Sequence, residues 1–273
     1  LNHKIFKNFQ SLEIKYKKKV YKLKINLYGS MQIKNLLMAV LAAKICGLKI
    51  RNIFQKIDRI KSVEGRLQLI RILQNKSKIF LDYAHTPDAL KNAILSLQEH
   101  FQKKITVVFG CGGERDKGKR KLMGKIAKKY CNKIYITDDN PRSENPIKIR
   151  KDIMKGLINS EAKEIGNRKK AIRYALQNSD PHEIILIAGK GHETYQDLGR
   201  RKIFLSDKNI VNNFKSKNIH SKNQDNNLRY NGMILAKTLK NKKNYFFNGV
   251  SINSKTLKNN NLFVAIKGKR KDG

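Results

Sequence analysis

Cysteine is scarce in this chain: three residues, Cys46, Cys111 and Cys131, among 273. Their spacing fits no zinc-binding pattern and no disulfide framework, so neither metal nor crosslinks are expected to organise the fold, and a reducing, cytoplasmic setting suits them. Cys111 could act as a nucleophile, yet no base stands at a telling spacing, and a structural thiol is the preferred reading. Acidic residues are also few, 21 against 60 lysines and arginines, which leaves a formal charge of +39. Such a charge ordinarily points to nucleic acid. Here the lysines are scattered among asparagine and isoleucine along the whole chain, as an AT-rich coding sequence would produce. They form no stripe and do not interleave with aromatics as in RNA-binding sheets. Specific nucleic-acid recognition is therefore set aside, and only unspecific attraction to polyanions is expected. No stretch approaches the roughly 20 apolar residues of a membrane span, and no signal-peptide pattern is present. A G-x-x-x-x-G-K-[ST] phosphate loop and internal repeats are also lacking.

What is present suffices for a core. Hydrophobic residues make up 40% of the chain, and its length suits two domains at about 150 residues each. Residues 12–27 alternate in strand fashion, with Leu12, Ile14 and Tyr16 on one run, Val20, Tyr21, Leu23, Ile25 and Leu27 on the next, and Lys17 to Lys19 as the turn. Apolar residues then recur at helical spacing over 31–46 (Leu36, Leu37, Val40, Leu41, Ile45), with Gly47 as a stop signal, and a second short helix is expected over 51–60. After a break at 61–66, apolar strands at 79–83, 105–109, 134–137 and 184–188 alternate with helices at 87–100, 121–129, 147–158 and 168–177. Continuous apolar strands alternating with helices mean a parallel sheet covered on both faces, an α/β domain. Residues 215–231, rich in Asn, Lys and Ser, read as a linker; a short helix at 233–239 and a strand-like run at 261–266 follow. The chain opens on Leu1 and stops at Lys271-Asp272-Gly273, just after that run, so a piece cut from a longer protein is expected.

Each sheet strand is followed by polar residues, and the carboxyl ends of such strands are where open α/β sheets bind ligands. Thr137-Asp138-Asp139-Asn140-Pro141-Arg142 sets acids, an amide and a guanidinium side by side. That trio suits a zwitterion: the acids hold an ammonium, and the arginine grips a carboxylate through two parallel hydrogen bonds. The same residues equally suit a capped turn, since Asn-Pro is turn chemistry. Asp82 and His85, in the run from Asp82 to Asp88, could hold a ribose or phosphate; His85 could instead cap a helix. The glycine-rich run Gly110 to Arg120 could bring backbone N–H groups and cations to an anion, or be a tight turn with a solvated basic segment. In Ala188-Gly189-Lys190-Gly191-His192-Glu193, Glu193 could accept from an ammonium, or the stretch could be a plain loop. Methionine, tyrosine and phenylalanine elsewhere follow helix or strand periodicity and read as core.

Four segments in this order, D-Y-A-H-T-P-D-A from Asp82, F-G-C-G-G-E-R-D-K-G-K-R from Phe109, T-D-D-N-P-R from Thr137 and A-G-K-G-H-E from Ala188, resemble the Mur ligases of peptidoglycan synthesis, in their diaminopimelate-adding branch. The resemblance covers residues 1–214. It implies that 1–60 are the end of a central ATP-binding domain, 61–66 a hinge around Gly65-Arg66, and 67–214 a C-terminal amino-acid-binding domain of Rossmann-like fold. It further implies ATP-binding roles for Asn35 (adenine), Arg66 (phosphate), Asp82 and His85, and a meso-diaminopimelate site made of Arg115, Asp139, Asn140, Pro141, Arg142, Gly189 and Glu193. Gln32 departs from the family, where asparagine is common. The implied substrates are ATP, UDP-N-acetylmuramoyl-dipeptide and meso-diaminopimelate. The Mg2+ ligands, phosphate loop and carbamylated lysine of the family have no counterpart in this sequence and are expected upstream, so that no catalytic residue is assigned here, no metal ligand is expected in this chain, and it is not expected to hydrolyse ATP alone. Residues 232–273, through V-S-I-N-S-K from Val250 and N-L-F-V-A-I-K-G from Asn261, resemble the partial UDP-substrate-binding domain of a second Mur ligase, the D-alanyl-D-alanine-adding kind, with Lys255 where arginine is usual. A fused two-enzyme chain is the expectation.

Overall fold

The computed structural model describes residues 1–6 and 8–215, together with the backbone of four short strands beyond them. Leu1–Lys215 and Ser216–Gly273 are separate units.

The first unit opens with an antiparallel sheet of β1 (Asn2–Phe6), β2 (Phe9–Tyr16) and β3 (Lys19–Ile25). The expected hairpin is there, with Lys19 inside β3 rather than in the turn. β1 was not anticipated: its residues are mostly polar, and it is a strand only because it pairs along β2. Helix α1 (Ser30–Ile45) and the short α2 (Ile50–Phe54) close this part over a core that includes Leu12, Ile25, Ile33, Leu36 and Ile57. The single helix expected over 51–60 is instead α2 followed by a 3-10 turn at Ile57–Arg59. Phe54 and Ile57 both reach the core, and apolar residues three apart do so in either winding, so periodicity could not separate them. Leu41 and Ile45, on the expected helical stripe, face outward.

The larger part is a six-stranded sheet in the order β4-β5-β9-β6-β7-β8. Its strands are β4 (Gln68–Ile72), β5 (Lys78–Asp82), β6 (Ile105–Phe109), β7 (Cys131–Ile136), β8 (Lys163–Glu164) and β9 (Ile184–Ala188). Only β4 runs antiparallel, on one edge. Helices α3 (Pro87–Phe101), α4 (Gly118–Tyr130) and α5 (Pro146–Met154) cover one face; α6 (Arg168–Gln177) and α7 (Asp207–Asn212) cover the other. Along β9, Ile184, Leu186 and Ala188 enter the first core while Ile185 and Ile187 enter the second. Burial on both faces is why the strand reads as an unbroken apolar run.

Capping sets where the helices begin. Thr86 Oγ1 accepts from Ala89 N–H with Pro87 at the first helical position, and Asn145, Asn167 and Ser206 cap α5, α6 and α7 in the same way. The caps hold the helix starts beside the carboxyl ends of β5, β7 and β9. Between β9 and α7 lies a hairpin of β10 (Tyr195–Asp197) and β11 (Lys202–Phe204). In the second unit, β12 (Tyr230–Asn231) pairs antiparallel with β13 (Phe246–Phe247), and β14 (Gly249–Ser251) pairs parallel with β15 (Asn261–Phe263). The helix expected at 233–239 lies outside the described residues, as does nearly all of the linker expected at 215–231. No described helix is long and apolar enough to cross a membrane.

The two parts of the first unit meet through Tyr28, whose ring packs edge-on against Phe80 and His100, and through Gly29, which lies against Ser96. The segment read as a hinge then binds the sheet. Gly65 O accepts from Tyr83 N–H at 2.8 Å, and a Cβ on Gly65 would stand 2.5 Å from the His192 backbone nitrogen. Its φ of +65° adds a left-handed conformation that costs an L-residue about 1–2 kcal/mol. Gly65→Ala is therefore expected to lower the melting temperature by a few degrees and to displace the His192 amide resonance. An unchanged spectrum would show that the contact carries nothing.

Candidate functional site

The loops that follow β5, β6, β7 and β9 border one cavity of about 500 Å3 at the carboxyl ends of the strands. Of the residues singled out from the sequence, His85, Arg115, Asp139, Asn140, Arg142, Gly189 and Glu193 line it. Pro141 is buried beneath it, in backbone contact with Gly113.

The cationic side is Arg115, Arg142 and Lys119. Arg115 is exposed and makes no hydrogen bond or ion pair with the described residues. Arg142 is held in place: Nη1 donates to Gly113 O at 2.7 Å, its backbone N–H donates to Asp197 O at 3.0 Å, and Nε lies 3.8 Å from Asp197 Oδ2. Its φ of +52° is rare for a residue with a Cβ, and such conformations gather where a site needs a side chain aimed one way. Lys119 Nζ donates to His85 O at 2.9 Å, tying the start of α4 to the loop before α3.

The anionic side is Asp139 and Glu193, with Asn140 between them. Asp139 Oδ1 accepts from Asn140 N–H at 2.8 Å, and Oδ2 lies 3.9 Å from Arg168 Nη1. Burial raises the Asp139 carboxyl above the ordinary aspartate range, against the pull of Arg168 and Lys190. For Glu193, burial works in the same direction, but hydrogen bonds from Lys190 and Asn140 outweigh it and hold the carboxyl below the usual glutamate value. Gly189 is required where it stands: its φ is +112°, and a Cβ would lie 2.4 Å from Asp139 Oδ2.

Of the residues assigned to ATP, Arg66, Asp82 and His85 gather around Tyr83, and Asn35 does not join them. Asn35 sits on the exposed side of α1, away from the cavity lining. Arg66 is exposed and stacks over the Tyr83 ring at 5.1 Å, beside the cavity. Asp82 has other work: Oδ2 accepts from Leu67 N–H and Oδ1 from Ala84 N–H, each at 2.8 Å, and it is 8% exposed. Its oxygens clamp the chain entering the sheet. His85 Nδ1 is 2.9 Å from Tyr83 O, and its ring faces the cavity edge. The Cys111 thiol, pushed up to about 12 by burial, is no thiolate at neutral pH. Among the described residues no group of three or more His, Cys, Asp or Glu side chains is placed to hold a metal ion.

Sequence reasoning missed Lys190, Arg168, Asp207 and Tyr83. Lys190 lies inside a quoted motif, but a lysine between glycines reads as solvated; the structure buries it completely. Arg168 and Asp207, 39 positions apart, pair where no local pattern could reveal them. Tyr83, inside a quoted motif but given no role, lines the cavity, and Phe204 and Met38, read as core, are exposed.

An open, doubly covered α/β sheet with a charged cavity at its strand ends defines a ligand-binding domain of the Rossmann-like class. Its particular fold is that of a Mur ligase C-terminal domain, and residues 65–191 match the family model described as the glutamate ligase domain of Mur ligases. The UDP-N-acetylmuramoyl-L-alanyl-D-glutamate–2,6-diaminopimelate ligase of Rickettsia typhi is 40% identical over 221 residues, covering 80% of this chain and 44% of that protein. The ligase of the same name from Buchnera aphidicola is 44% identical over 194 residues, 71% of this chain and 39% of its own length. A solved structure of a ligase of that name superposes with a TM-score of 0.58 at 31% identity, over 77% of this chain and 43% of that one. The chain thus spans less than half the length of the curated relatives it matches.

Proposed function

We propose that this chain supplies the amino-acid-binding part of an ATP-dependent ligase that joins meso-diaminopimelate to UDP-N-acetylmuramoyl-L-alanyl-D-glutamate. The observation that carries this reading is the cavity itself, lined both by the guanidinium groups of Arg115 and Arg142 and by Asp139, Asn140 and Glu193. A zwitterion needs both kinds of group. Diaminopimelate, a lysine with an extra carboxylate at its far end, has one more anionic group for the guanidinium side than lysine does.

In the reaction, ATP phosphorylates the glutamyl side-chain carboxylate, the amine of diaminopimelate attacks the acyl phosphate, and phosphate leaves. A carboxylate is a poor electrophile until phosphorylated, and the acyl phosphate must be shielded from water. Residues 67–214 would hold the nucleophile, with 61–66 as the hinge on which they close. Asn35 and Arg66 would face the nucleotide from outside the cavity. Residues 1–60 would complete an ATP-binding domain; the outward apolar side chains Met38, Leu41 and Ile45 on α1 give the remainder of such a domain a surface to cover. Residues 232–273 would begin a second, fused ligase that adds D-alanyl-D-alanine.

Calorimetric titration of the whole chain with meso-diaminopimelate, and separately with L-lysine, tests the reading. Binding of the first and not the second is expected. Equal binding of both, or of neither, would overturn the assignment of the amino acid to this cavity.

A further inference from the structure

Asn140 and Glu193 do not stand alone on the anionic side. Lys190, fully buried, places Nζ 2.9 Å from Asn140 Oδ1 and 2.9 Å from Glu193 Oε2, and its charge lies 5.4 Å from the centre of the Tyr195 ring. Asn140 Nδ2 in turn donates to Glu193 Oε2 at 2.9 Å, while Asp197 N–H donates to Asn140 Oδ1 at 3.0 Å. The three side chains form a closed triangle.

That triangle has one arrangement. Asn140 Oδ1 faces two donors, so turning the amide over would set its N–H groups against an ammonium and a backbone N–H. The amide can therefore only donate toward Glu193. Glu193 Oε2 accepts from both neighbours, and Oε1 has no partner among the described residues. Burying an ammonium is costly unless it is paired and hydrogen-bonded, and the chain places one directly behind the cavity lining. Its three ammonium hydrogens are met by an amide oxygen, a carboxylate oxygen and an aromatic face.

We propose that Lys190 is a positioning residue: its buried ammonium locks Asn140 and Glu193 so that Glu193 Oε1 is presented to the amino group of a zwitterionic ligand. This rests on the amino-acid reading of the cavity. Lys190 itself touches no ligand in this arrangement, since Asn140 and Glu193 lie between it and the open space.

The proposal has a signature in pH. Glu193 must be ionised to hold an ammonium, so binding fails as pH falls through its carboxyl pKa. Around it stand Lys190 and His192 on its own loop, Tyr195 on β10, Asp139 after β7, Arg168 on α6 and Tyr83 after β5. Of these, Lys190 alone donates a charged hydrogen bond to the carboxylate. Without it, only the Asn140 hydrogen bond and the nearby His192 still oppose burial, the pKa rises, and the acid-side loss of binding begins at higher pH.

The test uses the whole chain, ligand-free first. Carbon-13 NMR of the glutamate carboxyls, with Glu193 assigned by Glu193→Gln, is expected to give a midpoint below the ordinary glutamate value. In Lys190→Met the midpoint should move upward. Calorimetry should then show meso-diaminopimelate affinity weakened at least about tenfold at neutral pH, as for one lost charged hydrogen bond, with its acid limb shifted upward. A Glu193 midpoint that is the same in both proteins, or an unshifted acid limb, would overturn the proposal. Should the wild-type chain bind no diaminopimelate, the amino-acid reading falls, and the ligand-free titration still decides whether Lys190 positions Glu193. Should Lys190→Met not fold, the wild-type protein decides: a Lys190 ammonium exchanging at the solvent rate, with an ordinary Glu193 midpoint, would refute it.

Discussion

Arg142→Ala is expected to weaken binding of meso-diaminopimelate by 10²-fold or more while leaving the melting temperature nearly unchanged. The first number follows from two charged hydrogen bonds to the distal carboxylate at roughly 1.5–3 kcal/mol each. The second follows from where Arg142 sits: it is 23% exposed in its side chain, and its structural ties are one bond to Gly113 O and a 3.8 Å approach to Asp197. Those ties matter because they hold the guanidinium before the ligand arrives, so little side-chain freedom is lost on binding. Arg142→Lys keeps the charge but loses the planar fork, and should recover only part of the affinity. Calorimetry on the three proteins, with thermal unfolding beside it, separates the effects. If Arg142→Ala instead lost several degrees of stability and little affinity, Arg142 would be a structural arginine and selectivity would have to come from Arg115.

Much of this arrangement was legible in the sequence because it is local. The strands β6 and β9 and helix α6 lie at the expected residues: the strands are short apolar runs buried on both faces, unbroken in β9 and interrupted only by Thr106 in β6, and the helix keeps its apolar residues at helical spacing. Acids, amides and arginines just past those strands had to fall on one rim once the strands were parallel. What stayed hidden depends on partners distant in sequence. β4 and β8 are short edge strands defined by their neighbours. The β10–β11 hairpin, whose Asp197 carbonyl positions Arg142, carries no apolar alternation of its own. Asp82 was legible as a special carboxylate at a strand end but not as a backbone clamp, because the amide it binds, on Leu67, belongs to the preceding strand's approach.

The buried partners behind the site lead to the largest stability effect. Arg168 donates from Nε to Asp207 Oδ1 at 2.9 Å and from Nη2 to Asp207 Oδ2 at 2.7 Å, with both side chains fully buried. Nη2 also donates to Ala188 O at 2.9 Å, at the last residue of β9. One guanidinium therefore joins the start of α6, the start of α7 and the end of the central strand, and its third nitrogen lies 3.9 Å from Asp139. Removing one partner of such a pair leaves a charge in the interior, at a cost of about 3–5 kcal/mol. For a unit of this size that is a fall in melting temperature of roughly 6–20 °C, expected for Arg168→Met and for Asp207→Leu alike. The double replacement should regain most of the loss, because two well-packed apolar groups can substitute for a buried pair at little net cost. Asp139 makes the double variant informative about function. Its carboxyl, already raised by burial, loses the nearest opposing charge when Arg168 goes, and moves further up. A double variant that is stable but binds meso-diaminopimelate weakly, recovering as pH is raised, would show that the clasp beneath the cavity also keeps Asp139 ionised within it. Single variants that melt within about two degrees of wild type would show instead that the pair is dispensable, and that the apolar cores on the two faces hold the strand ends in place by themselves.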